Sequence, residues 1–116
     1  MEQASNPTPL EITPVHVKQR IDVGETLHLI DVREPNEHAL SSLSGAELIP
    51  MNTVPQHLQE LETLADEAPL IVFCHHGMRS LMVVNWLRQQ GVSNCSSMSG
   101  GIDQWSLVID PSVPRY

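Results

Sequence analysis

Apolar residues in this chain gather in short runs separated by turn-forming residues, and the period of the runs changes along the sequence. Leu27 to Val32 (LHLIDV) and Leu70 to Phe73 (LIVF) are compact runs of strand length, the pattern of strands covered on both faces. Ala46 to Ile49 and Cys95 to Met98 predict two briefer strands. Between these runs the spacing is helical. Thr13-Pro14 supplies an N-cap and a proline for the first turn, Val17 and Ile21 follow four apart, and Gly24 closes the segment. Glu34-Pro35 opens a turn toward Leu40, Ser41 to Gly45 is turn-rich, and Leu58, Leu61 and Ala65 mark an amphipathic helix after Thr53 and Pro55. A helix from about Arg79 to Gln90 carries Leu81, Met82, Val83, Val84, Trp86 and Leu87 on nearly every side, which predicts a central, well-covered element ended by Gly91. Ser99-Gly100-Gly101 leads into a last turn bearing Trp105.

Strands alternating with helices at this spacing predict an α/β domain with a mainly parallel central sheet and helices on both faces. The domain is read over residues 12–110, with a flexible lead-in over 1–11 and a C-terminal tail over 111–116 signalled by Pro111 and Pro114. At 116 residues the chain has room for one core. Aromatic residues are only 3%, so that core must rest on Leu, Ile, Val and Met. The formal charge of -8 argues against nucleic acid and anionic membrane surfaces as partners. No run reaches membrane-spanning length and the polar start lacks a secretory signal, so a cytoplasmic location is expected. Two cysteines, Cys74 and Cys95, are too few for a disulfide framework, which leaves free thiols for chemistry.

Ligands of open parallel sheets bind beyond the carboxyl ends of strands. Asp31, Cys74 and Gly100-Gly101 each fall just past a predicted strand. Cys74 is the most informative, because Cys-His-His-Gly-Met-Arg places it between a buried strand and the start of a helix. Such a loop can curl around its own sulfur, with backbone N–H groups and the helix N-terminus favouring the thiolate. Gly77 allows a tight curl, while Arg79 and the pair His75 and His76 are expected to add positive charge against the overall negative balance. Adjacent histidines with no C-x-x-C or H-x-x-x-H partner do not read as a metal site. Asp31 also reads as a turn cap and Arg33 as a solvated surface charge. Trp86 and Trp105 read as core residues, and Cys95 as packing rather than as a resolving thiol.

Three segments in order resemble the rhodanese homology family: LIDVREPNEH (Leu29 to His38), CHHGMRS (Cys74 to Ser80) and SGGIDQW (Ser99 to Trp105). The resemblance runs from about Ile12 to Trp105. It departs at Ser41 to Ser44, where family members often read Gly-His-Ile-Pro. It implies a rhodanese-like fold and a sulfurtransferase in which Cys74 carries a persulfide. It further implies a substrate-binding loop of His75, His76, Gly77, Met78 and Arg79, with Arg79 shaping the loop and helping to hold the donor. Asp31 and Arg33 would border the pocket. The expected partners are thiosulfate or a similar anionic sulfur donor and a thiol or thioredoxin-like acceptor. No metal or other cofactor is implied, since an activated cysteine divides the transfer into two steps. Two rival classes share the scaffold: a cysteine-dependent phosphatase or arsenate reductase, and a non-catalytic binding module. Only four residues separate Cys74 from Arg79, one fewer than in phosphatase loops of this design, which favours a single sulfur atom over phosphate.

Overall fold

The computed structural model describes residues 8–116. Five strands, β1 (Glu11–Ile12), β2 (His28–Asp31), β3 (Glu47–Leu48), β4 (Leu70–Phe73) and β5 (Cys95–Met98), form one sheet in the order β1-β5-β4-β2-β3. Every neighbouring pair is parallel. Parallel neighbours need crossover connections, and α1 (Pro14–Asp22), α2 (Pro35–Leu40), α3 (Leu58–Glu67) and α4 (Met78–Gln89) supply them before α5 (Gly101–Val108) closes the domain.

β4 lies at the centre and all four of its residues are buried. Its side chains alternate between the two faces of the sheet, and both faces are covered, which is why the run shows no polar alternation. Leu70 and Val72, with Cys74 just beyond, pack on Leu61 of α3 and on Val83, Val84 and Leu87 of α4. Ile71 and Phe73 pack on Val17 of α1 and on Ile102 and Trp105 of α5. The expected helices on both faces are present.

Four details differ from the sequence reading. The lead-in read over 1–11 is held from Thr8 onward; the residues before that lie outside the described ones. Ser97 and Ser99 donate N–H groups to the carbonyls of Leu10 and Ile12, so an edge strand forms where the polar sequence showed no periodicity. The segment after Pro50 begins as a 3₁₀ helix, Met51–His57, and becomes α-helical only beyond Pro55, which has no N–H to give. α4 is not covered all round: Met78 is 78% and Met82 57% exposed, and Met82, Val83 and Trp86 form one wall of an open apolar groove of about 310 Å³ with Met51, Val54 and Pro55 opposite. Finally, residues 111–116 do not trail away but fold back toward the sheet end that carries Cys74, with Val113 against the α5 core and Tyr116 near α2. Among the described residues no helix is long and apolar enough to cross a membrane.

A core centred on β4 makes Ile71, fully buried, far more sensitive than Val23, which is 77% exposed. By chemical denaturation, Ile71→Ala should cost about 3 kcal/mol and Val23→Ala less than about 0.5 kcal/mol. Equal losses would contradict that placement.

Candidate active site

β4 delivers Cys74 to the carboxyl edge of the sheet with only 1% of its surface exposed. The chain then curls through His75, His76 and Gly77 into α4. The Gly77 N–H donates to Cys74 Sγ at 3.1 Å and the Ser80 N–H at 3.4 Å, with Ser80 Oγ 3.5 Å from the same sulfur. Ser80 Oγ also donates to the Gly77 carbonyl and shares a 2.7 Å hydrogen bond with Ser97 Oγ of β5. The positive end of the α4 dipole faces the sulfur through these first-turn groups. Gly77 sits at φ +112°, in the left-handed region where a side chain is strained.

The loop is clamped from behind by α5. Ile102 and Asp103 donate N–H groups to the carbonyls of Cys74 and His75 at 2.9 and 3.1 Å. That approach leaves no room for a Cβ at Gly101, which would collide with both carbonyl oxygens. The Gly100-Gly101 turn therefore brings α5 against the loop.

Charge around the loop is more balanced than the sequence implied. Arg79 does not project freely: both of its terminal nitrogens donate to Glu37 of α2, at 2.7 and 2.9 Å. The Arg79 hydrogen bonds hold the Glu37 carboxyl down at about 2, and Glu37 in turn raises the Arg79 pKa further. Arg115 pairs with Asp103 at 2.8 Å. His75 is driven toward its neutral form, first by burial and then by the neighbouring His76. The loop's single guanidinium, that of Arg79, is thus paired with a carboxylate, and the donors that face Cys74 Sγ are backbone amides.

His75, His76 and Tyr116 form a continuous stack, with ring centroids 3.9 Å apart for the histidines and 4.0 Å for His75 on Tyr116. Ligand-capable atoms of His75, His76 and Asp103 lie within 4.8 Å of one another, a grouping the sequence reading did not contain. Stacked rings present their in-plane lone pairs side by side, so a metal between them would lie off both planes, and the Asp103 carboxylate is already engaged by Arg115. Met78, although in the loop motif, points outward.

Asp31 and Arg33 are both fully buried beneath the rim and offer no group to a bound ligand, contrary to the expected pocket border and to the surface-charge reading of Arg33. Arg33 makes a fork on Asp31 at 2.9 and 2.7 Å and donates to the Ser41 carbonyl at 2.6 Å. Asp31 also meets His38 Nδ1 at 2.9 Å. The Ser41 to Ser44 departure thus still serves the structure, since its first carbonyl receives the buried guanidinium. Three residues of the site were missed. Glu37 and Ser80 were inside quoted motifs but showed no partner in sequence, while Tyr116 stood in the tail without any signal. Cys95 is fully buried, as packing predicted, and burial raises its thiol pKa.

The Arg79–Glu37 pair has a defined pH signature. A carboxyl held at about 2 in the folded protein, against an ordinary 4.5, adds stability that is fully present above pH 4.5 and disappears as pH falls through 2. Glu37→Gln should therefore be less stable than the parent at pH 6, with the two melting temperatures converging as pH approaches 2. A gap that stays constant across that range would show that the pair does not hold the loop.

A rhodanese-like domain model matches residues 13–107. The chain is 36% identical over 109 residues to "Rhodanese-like/PpiC domain-containing protein 12, chloroplastic" of Arabidopsis thaliana, covering 92% of this chain but only 36% of that protein. It is 35% identical to the "Putative sulfurtransferase YtwF" of Bacillus subtilis, covering 82% of this chain and 88% of the relative. Among solved structures, the protein SSP1007 of Staphylococcus saprophyticus superposes with a TM-score of 0.76 at 31% identity, covering 90% of this chain and 98% of that one. The family match, the all-parallel sheet and the cysteine loop at its carboxyl edge agree, and the chain belongs to the rhodanese-like domain family.

Proposed function

We propose that the protein is a sulfurtransferase that stores sulfane sulfur as a persulfide on Cys74. The observation that carries this reading is the convergence of the Gly77 and Ser80 N–H groups on the Cys74 sulfur inside a six-residue loop. Donors so placed stabilise negative charge on sulfur before and after transfer. Because trans peptides point C=O and N–H in opposite directions, the Cys74 and His75 carbonyls bonded to α5 turn the next N–H groups away from that helix.

The Cys74 thiolate attacks the outer sulfur of thiosulfate or another sulfane donor. A bond forms between Sγ and that sulfur, the donor's S–S bond breaks, and sulfite leaves with the bonding pair. An acceptor nucleophile, cyanide in the test tube or a thiolate in the cell, then takes the outer sulfur and restores the Cys74 thiolate. No oxidant enters the cycle, and one cysteine suffices. With Arg79 bound to Glu37, an anionic donor is held chiefly by amides, and Arg79 acts mainly by bracing the loop against α2. The short loop also supports sulfur over phosphate as the bound group. Two free cysteines fit a reducing compartment such as the cytosol.

Incubation with thiosulfate should add one reductant-labile sulfur atom to the protein by intact mass, and to the Cys95→Ala variant equally. Cys74→Ser should gain none. Equal uptake by the serine variant would remove the assignment.

A further inference from the structure

Beyond the loop itself, the segment from Asp110 to Tyr116 forms a strap across the site. Ser112 donates its N–H and hydroxyl to the Asp110 carboxylate, making a tight turn, and Val113 packs into the α5 core. Arg115 then anchors the strap to Asp103, in the first turn of α5, by bonds of 2.8 and 3.3 Å. These contacts deliver the Tyr116 ring onto His75, the residue after the nucleophile, nearly parallel at 9°. Its hydroxyl accepts from Arg33 Nη1 at 2.9 Å and donates to Glu37 Oε2 at 2.7 Å. Glu37 is the carboxylate that holds Arg79, the last residue of the loop. Tyr116 therefore bridges both ends of the loop around Cys74, directly at His75 and through Glu37 at Arg79, while 40% of it remains exposed.

We infer that Tyr116 is a positioning and specificity residue, a wall at the mouth of the Cys74 loop that restricts the size of the groups able to reach the sulfur. The inference deepens the sulfur-transfer reading and rests on it for the identity of the reacting group. The ring supplies the wall. The stack on His75 holds the ring upright, and the hydroxyl adds a second tie to a buried guanidinium and a paired carboxylate. Loss of the hydroxyl alone leaves the stack on His75 in place, so Tyr116→Phe and Tyr116→Ala separate the two contributions.

The test uses reagents that differ in bulk, in a Cys95→Ala background so that only Cys74 reports. Alkylation by iodoacetamide and by a fluorescein maleimide is followed by intact mass, and the persulfide loaded from thiosulfate is discharged by cyanide and by glutathione. Tyr116→Ala should raise the bulky-to-small rate ratio about fivefold or more in both assays, whereas Tyr116→Phe should stay within about twofold of the parent. Arg115→Ala, which frees the strap but keeps the ring, should move the ratio in the same direction and serves should the alanine variant not fold. Ratios unchanged in the folded alanine and Arg115 variants, or both reagents accelerated equally, would overturn the wall. Alkylation does not depend on sulfur chemistry: a parent that alkylates with the expected size dependence yet accepts no sulfur would sink the transferase reading and leave the wall standing.

Discussion

The packing of the first turn of α5 against the backbone after β4 is the constraint on which the site depends. Two N–H groups at the start of α5 are bound to the carbonyls of Cys74 and His75, and this works only because Gly101 has no side chain to collide with them. With those carbonyls turned toward α5, the loop curls the other way. Gly77 takes the left-handed turn that brings its own N–H and the start of α4 onto the sulfur. β4, buried on both faces, holds the base of the loop rigid. Cys74 sits where a central strand, two helix N-termini and two glycine turns meet, so its surroundings are set by the fold itself.

A second layer of charge pairing surrounds that core. The buried Asp31–Arg33 pair lies under the rim, the Glu37–Arg79 pair closes the loop against α2, and the Arg115–Asp103 pair closes the strap against α5. Each brings a cation and an anion together, so the rim is close to neutral within a chain whose formal charge is -8. The consequence for chemistry is direct. In the proposed transfer, attraction of an anionic donor would fall to oriented backbone dipoles at short range, while the ion pairs give shape.

What could be read from sequence follows the range of the interactions involved. β4 was legible because burial on two faces leaves an unbroken apolar run, β2 because Leu27, Leu29, Ile30 and Val32 still make a strand-length cluster around its polar residues, and Cys74 because strand, glycine and helix signals lie within a few residues of it. β1 was not, since two residues at an edge acquire strand character only by pairing with Ser97 and Met98 far along the chain. Helical periodicity in α4 showed apolar residues but not how many faces the fold would cover, so Met82 was wrongly expected to be enclosed. Arg79 was recognised as a loop residue, yet its neutralisation by Glu37 spans 42 residues and left no local mark. Tyr116 is the extreme case, reaching Glu37 across 79 residues.

The central claim is that Cys74 itself holds the sulfur between donor and acceptor. Rapid mixing of the reduced protein with thiosulfate, in the absence of any acceptor, tests it most directly through the sulfite released. One equivalent of sulfite per chain should appear as a burst and then stop, and a second equivalent should follow only when cyanide is added. Sulfite that forms only in the presence of cyanide would mean direct transfer between bound substrates and would contradict a persulfide on Cys74.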